Sequence, residues 1–140
     1  MKVKIKKIHP DATIPKFAHI NDAGMDICVP ERVTIAPGER KSIPLGLAFE
    51  IPDGYVWLLW DKSGLSHKYG IKTFGGVIDA GYRGEVHAGV MNLSKETYVF
   101  EKGHKIVQLL IKKVEHPTIV EVTELSDSHR GARGFGSSGK

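Results

Sequence analysis

Cysteine is almost missing from this sequence. Cys28 stands alone, which excludes an internal disulfide and a cysteine-built zinc cluster. Long apolar runs are missing as well. No stretch approaches the roughly 18 residues of a transmembrane helix, so no membrane partner is expected. The first eight residues set Val3, Ile5 and Ile8 among lysines. They contain no apolar core of the kind a secretory signal carries, so a cytoplasmic location is expected. Excess negative charge is also lacking. Twenty Lys and Arg against sixteen Asp and Glu leave a net charge of +4. That balance suits an anionic ligand, but it does not separate a nucleotide from a nucleic acid or from a solvated surface.

What is present is a series of short β-patterned runs. At 140 residues and 41% apolar content, one domain with a real core is expected. Val3 to Ile8 reads as an opening strand that Pro10 ends. Residues 11–22 read as an extended loop, and Ala23 to Val29 as a strand with Asp26 in its middle. Pro37-Gly38 and Pro52-Asp53-Gly54 are turn signals. Tyr55 to Trp60 is nearly continuous apolar sequence and predicts a strand buried on both faces. Its two tryptophans read as core or subunit-interface residues. Thr97 to Phe100, Ile106 to Ile111 and Val114 to Val122 continue the series. Many short strands with Gly and Pro turns describe an all-β barrel or sandwich.

The most informative stretch runs from Gly75 to Gly84. Val77 and Ile78 suit a strand, Ala80-Gly81 can turn the chain, and a second strand pattern runs from Val86 to Met91. This predicts a tight hairpin whose tip gathers Asp79, Tyr82 and Arg83. Gly75, Gly76 and Gly84 remove side chains, so a ligand could lie against bare backbone. A carboxylate, an aromatic face and exposed amides together suit a planar base on a sugar with a water held for attack. The same residues also describe an ordinary solvated turn.

Other positions carry similar double readings. Ser63 could cap a short helix through Tyr69, closed by Gly70. Its N-terminal amides, beside Lys62, would suit phosphate. The bland alternative is a plain capped helix. Asp26 needs a partner if buried and could equally cap a turn or pair with a lysine. Gln108 interrupts an apolar strand and must hydrogen-bond, to backbone or to a ligand. From Ser126 the composition turns to Gly, Arg and Ser. Residues 126–140 therefore read as a flexible segment able to close over a ligand, behind a single β domain of residues 1–125.

Five stretches, in this order, resemble the homotrimeric dUTP diphosphatase (dUTPase) family. They are Ala23-Gly24-Met25-Asp26-Ile27, then Lys62-Ser63-Gly64-Leu65-Ser66, then Gly76-Val77-Ile78-Asp79 with Tyr82-Arg83-Gly84. Gly103-His104-Lys105-Ile106-Val107-Gln108-Leu109 follows, and last Arg130-Gly131 with Gly134-Phe135-Gly136-Ser137-Ser138-Gly139. The resemblance implies a distorted β-barrel or jelly-roll, assembled as a homotrimer with shared sites. It implies Mg²⁺-assisted hydrolysis of dUTP to dUMP and pyrophosphate, which limits uracil incorporation into DNA and supplies dUMP for thymidylate synthesis. It assigns Asp79 as the base that activates water. The backbone of Gly76, Val77 and Ile78 would hold uracil, and Tyr82 would pack on the deoxyribose. Lys62, Ser63, Gly64 and Gln108 would contact phosphates. Arg130, Gly136, Ser137 and Ser138 would close on the γ-phosphate, with Phe135 stacked on uracil. The metal would be held by phosphates and water, with no direct protein ligand and Asp26 one water away. No stable nucleic-acid partner is implied.

Three positions depart from the family pattern. Lys62 replaces the usual arginine and loses its two-pronged geometry. Asp61 replaces a common proline and places a negative charge beside the phosphate region. His104 stands where an acidic residue is usual. Two rival readings use the same fold: a dCTP deaminase, for which Glu85 would be the acid/base group, and a non-catalytic nucleotide-binding trimer. Because the last eleven residues contribute nothing to the predicted core, deleting residues 130–140 is expected to leave a folded trimer with little activity. Size-exclusion chromatography and turnover of the truncated protein would check this. Aggregation, or full activity, would count against the lid.

Overall fold

In the computed structural model, residues 1–129 and 131–132 are described. Apolar residues at alternate positions build eleven short strands and one helix among them. The strands are β1 (Lys4–Lys7), β2 (Met25–Cys28), β3 (Val33–Ile35), β4 (Arg40–Pro44), β5 (Leu47–Glu50) and β6 (Tyr55–Asp61). Helix α1 (Ser63–Tyr69) follows. Then come β7 (Ile71–Phe74), β8 (Val77–Ile78), β9 (His87–Asn92), β10 (Tyr98–Phe100) and β11 (Lys105–Lys113).

The strands form four sheets, ordered β1-β5, β10-β3, β2-β11-β6-β8 and β4-β9-β7. Every pairing is antiparallel. Among the described residues no strand pairs with its neighbour in sequence, so none of these pairings is a local hairpin. The architecture is of jelly-roll type and does not close into a barrel.

Two consequences correct the sequence reading. The stretch from Val77 to Met91 is not a hairpin. β8 pairs with β6, whereas β9 pairs with β4 and β7. Residues 79–86 are thus a passage from one sheet to another. The stretch Val114 to Val122 forms no strand. Ile119 and Val120 are largely exposed, and the segment's one backbone tie to the sheets is Val114 N–H to the Gly54 carbonyl at 2.9 Å. A β-rich composition makes a strand only where another strand offers a ladder.

The core lies between the sheets. Its largest wholly buried side chains include Trp57, Phe100, Ile27, Ile35 and Leu45. β6 buries Trp57 and Leu59 but leaves Trp60 55% exposed. Burial on both faces therefore does not hold, because this antiparallel sheet keeps one solvated face. The Trp57 ring packs on Phe49 with centroids 4.1 Å apart, while its buried indole N–H has no acceptor among the described residues. An unpaired buried donor costs about 1–3 kcal/mol. Burying an indole of roughly 150–250 Å² at about 25 cal/mol per Å² contributes about 4–6 kcal/mol, so the packing wins.

Asn92 is the buried polar residue on which two loops converge. Its Nδ2 donates to the carbonyls of Ile35 (3.0 Å) and Glu96 (2.7 Å), and its Oδ1 accepts from Ser94 N–H (2.9 Å) and Oγ (2.7 Å). Asn92→Leu keeps the branched shape, in a somewhat larger side chain, but strips these partners. It is expected to lower unfolding free energy by about 3 kcal/mol, read from urea midpoints.

Candidate active site

β8 is only two residues long, and its position depends on Gly76. A Cβ there would stand 2.3 Å from the Leu59 carbonyl oxygen. Glycine lets the chain run against β6, and Leu59 N–H donates to the Gly76 carbonyl at 2.7 Å. The Gly76 gap is thus filled by β6 and not left for a ligand. Gly84 likewise makes room for Tyr82, whose hydroxyl would lie 2.6 Å from an added Cβ. Of the three glycines, only Gly75 faces open space, at φ +61°. β8 spends one edge on β6, and its other edge has no strand partner among the described residues.

Asp79 follows β8 and is exposed. It lines a pocket of about 240 Å³ with Val77, Ile78, Tyr82 and His87. It also borders a wider recess of about 580 Å³ that includes Tyr55, Leu58 and Val77. The Tyr82 hydroxyl donates to the Glu85 carbonyl at 2.8 Å, which fixes the ring beside Gly84. Glu85 is engaged structurally: its Oε1 accepts from Gly46 N–H at 2.9 Å.

A second group forms where β2, β11 and the end of β6 lie side by side. Gln108 is in register with Asp26 on one side and Trp60 on the other. Its Nε2 donates to the Asp61 carbonyl at 2.8 Å, so the backbone partner is the one observed. Asp26 pairs through Oδ1 with Lys62 and through Oδ2 with Lys105 at 2.6 Å. Burial works against the charged Asp26 carboxylate, but the hydrogen bonds and charges of Lys105 and Lys62 outweigh it and hold its pKa below the usual value. The Asp26 hydrogen bond and charge push the Lys105 ammonium up.

Ser63 is the first helical residue and not the cap. The cap position is Lys62, with no side-chain cap bond, and Gly70 closes the helix in the left-handed conformation at φ +65°. The first intrahelical bond is Ser66 N–H to the Lys62 carbonyl at 2.9 Å. The amides of Ser63, Gly64 and Leu65 therefore precede the helical ladder.

The departures find local partners. Asp61 pairs with Lys72 at 2.5 Å and accepts from Thr73 N–H at 2.6 Å. Its burial would raise its pKa, but these partners lower it on balance. Its charge is thus taken up by Lys72 and not by Lys62. His104 accepts through Nδ1 from Glu101 N–H at 3.1 Å, so it closes the Glu101–His104 turn as an acceptor.

The predicted site residues fall into two groups. Ile78 is opposite Trp57 on β6, which sets Asp79 level with Val56, while Lys62 lies past the far end of that strand. Six residues at about 3.3 Å each put roughly 20 Å of strand between the levels of Asp79 and Lys62. Arg130, Phe135, Gly136, Ser137 and Ser138 lie outside the described residues. The sequence gives no sign that Lys105 joins this second group. It sits inside the fourth motif-like stretch, but only the pairing of β11 with β2 brings it to Asp26. Among the described residues no three His, Cys, Asp or Glu side chains converge on one point, and no helix is long and apolar enough to cross a membrane.

An antiparallel jelly-roll with a small pocket at a free strand edge and a lysine-rich strand end is a class of β domain suited to a polyanion with a planar group. The family model described as dUTPase matches residues 10–139, and the chain belongs to that family. It is 46% identical over 142 residues to a deoxyuridine 5'-triphosphate nucleotidohydrolase of Nautilia profundicola, covering all of both chains. A variant dUTPase of Staphylococcus bacteriophage 80alpha with dUpNHpp superposes with TM-score 0.93 at 32% identity, over 99% of each chain. A variant dUTPase of S. aureus phage phi11, described with a structural Mg(II) ion, superposes at 0.85 with 29% identity, over 91% of this chain and all of the other.

The depressed pKa values of Asp26 and Asp61 have a consequence for stability. A carboxyl whose folded pKa lies below its unfolded value, near 3.8, stabilises the fold above that pH and loses the contribution as pH falls through the folded pKa. Urea midpoints are therefore expected to hold steady from pH 7 to 5 and to fall below about pH 4. Asp26→Asn, compared across the same series, should flatten part of that fall.

Proposed function

We propose that this protein hydrolyses dUTP to dUMP and pyrophosphate. Family membership along nearly the whole chain and the activity named for its relatives support this reading. The observation that carries the site assignment is Asp79. It is an exposed carboxylate with no hydrogen bond or ion pair among the described residues, at the lip of a pocket beside a fixed tyrosine ring. A carboxylate left unpaired can accept a proton from a water aimed at the α-phosphorus.

Uracil would bind along the free edge of β8, taking backbone hydrogen bonds from the strand at Gly76, Val77 and Ile78. The Tyr82 ring would pack on deoxyribose. Because its hydroxyl is tied to Glu85, the ring cannot swing aside for a 2′-hydroxyl, and UTP is rejected sterically. Lys62, Ser63, Gly64 and Gln108 would receive the phosphates, with Lys62 aimed by Asp26. An ammonium gripped by a carboxylate is held in one place, which offsets part of the directionality lost with arginine. Mg²⁺, when bound to the triphosphate, neutralises charge, and Asp26 would meet it through water.

A homotrimer is the assembly that the family resemblance implies, and the distance between Asp79 and Lys62 along β6 suits a site shared between copies. In-line attack requires reacting atoms about 3–3.5 Å apart, and Asp79 and Lys62 of one copy, set roughly 20 Å apart along one strand, are poorly placed to act on the same phosphorus. A second copy of the chain can bring its lysine cluster to the first copy's Asp79. Residues 126–140, with Arg130, Phe135, Gly136, Ser137 and Ser138, are assigned the role of a lid, by resemblance. A cytoplasmic site of action suits a substrate drawn from the nucleotide pool. The deaminase alternative is weakened by Glu85, whose carboxylate holds the Gly46 amide.

Pyrophosphate release from dUTP, UTP, dTTP and dCTP, with Mg²⁺ and then with EDTA, tests the reading. Release from dUTP alone, falling with EDTA, is expected. Asp79→Asn should keep the fold and nucleotide affinity while losing about 10²–10⁴ in turnover. Ammonia from dCTP would move the protein to the deaminase branch, and near wild-type turnover in Asp79→Asn would remove Asp79 from the role of base.

A further inference from the structure

The passage from Asp79 to Val86 leaves one sheet and enters another, so no ladder supports it. Its internal backbone hydrogen bond is Tyr82 N–H to the Asp79 carbonyl at 3.1 Å. The next anchor is Val86 N–H to the Leu47 carbonyl at 2.8 Å. Side chains supply the rest. Glu85 grips Gly46 and the Tyr82 hydroxyl grips Glu85, as described above. The turn itself is held from outside by Arg83. One guanidinium nitrogen, Nη1, donates to the Ala80 carbonyl at 2.5 Å and to the Tyr82 carbonyl at 2.9 Å. Ala80 is inside the turn and Tyr82 closes it.

The guanidinium points away from the pocket. It borders a groove on the β1-β5 side together with Lys4, Phe49 and Glu50. It takes no part in the pocket that Asp79 and Tyr82 share. Glu50 faces it across that groove. Lys4 chiefly, and Arg83 more weakly, hold the Glu50 carboxyl below the usual range. Arg83 is exposed, and its two hydrogen bonds go to carbonyls of the turn, so they act on the turn more than on global stability.

Resting on the dUTP-hydrolase reading, we propose that Arg83 is a positioning residue for the reaction. By tying the Ala80 and Tyr82 carbonyls to a single nitrogen it sets the angle between the Asp79 carboxylate and the Tyr82 ring. That angle decides both where the attacking water is held and how closely the ring seals against a 2′-hydroxyl. Arg83 therefore governs rate and sugar selectivity together without contacting the nucleotide. A lysine can present two of its ammonium hydrogens to the same carbonyls, so the charge-conserving change retains part of the clamp. Methionine, of similar length, retains none of it.

The experiment compares wild-type protein with R83M and R83K in three measurements: steady-state turnover of dUTP and UTP, thermal midpoint, and amide hydrogen exchange of the peptide covering 79–86. R83M is expected to lose about ten- to a hundredfold in kcat for dUTP, the size expected when a reacting group is misplaced by up to an ångström. Its dUTP-to-UTP ratio of kcat/KM should fall several-fold, exchange over 79–86 should speed up, and the thermal midpoint should stay close to wild type. R83K should recover part of each loss. A rise in KM alone, equal for dUTP and UTP, would overturn the proposal in favour of charge attraction. Unchanged exchange and an unchanged selectivity ratio would overturn it outright. If wild-type protein released no pyrophosphate from dUTP, the hydrolase reading would fall by itself, and the exchange comparison would still decide whether Arg83 clamps the turn.

Discussion

The ladder between β6 and β11 sets the position of nearly everything that matters in this molecule. Seven register pairs, from Val107 opposite Asp61 to Lys113 opposite Tyr55, join two strands more than forty residues apart in sequence. On one side the ladder sets Gln108 against Trp60 and hands β11 on to β2, which delivers Asp26. On the other, β6 accepts β8 and with it Asp79. Shifting this register by one residue would turn Trp57 and Leu59 out of the core and reverse both faces. Core packing thus determines where the polar residues of the site stand, because a strand that buries alternate residues cannot choose the direction of the others.

The polar residues nevertheless require their own support. Asp26 is mostly covered, and an isolated carboxylate there would be costly. Two lysines on different elements share it, one oxygen each. Exposed ion pairs contribute little, about 0–1 kcal/mol, and Lys105 is half exposed. The purpose of the arrangement is better sought in geometry. Lys62 is held beside the amides of Ser63, Gly64 and Leu65, so under the proposed function charge and donors would be in place before an anion arrives. Such preorganisation is what phosphoryl chemistry draws on, since charge stabilisation and alignment do most of the work. The loop bearing Asp79 uses the same logic with different groups. Tyr82, Arg83 and Glu85 replace a missing ladder with side-chain hydrogen bonds.

Absence of local pairing also bears on folding. With no strand joined to its sequence neighbour, loop-closure entropy must be met before any ladder forms, which places this chain among slow-folding topologies. The extended stretch after β11 shows the other side of the rule. Ile119, Val120 and Leu125 are apolar yet exposed, because their segment pairs with none of the four sheets of the described chain.

Much was legible in the residues alone. All-β class followed from short alternating runs and turn signals. The helix from Ser63 to Tyr69 followed from a change of character and a closing glycine. The proposed site residues are legible as motifs in order, because the chemistry they suggest is local: a carboxylate, an aromatic and glycines within ten residues. What the sequence could not determine was which strands meet. Val77-Ile78 and Val86 to Met91 look like the arms of one hairpin, since periodicity reports burial and not partners. Only the tertiary structure sent them to different sheets, made Gly76 and Gly84 serve Leu59 and Tyr82, and brought Lys105 to Asp26. Only the tertiary structure separated Asp79 from Lys62 by the length of a strand. Side-chain pattern is a property of one strand, whereas register and sheet order are free-energy minima of the whole chain. The second kind of information is therefore settled only when all the strands compete for the same edges.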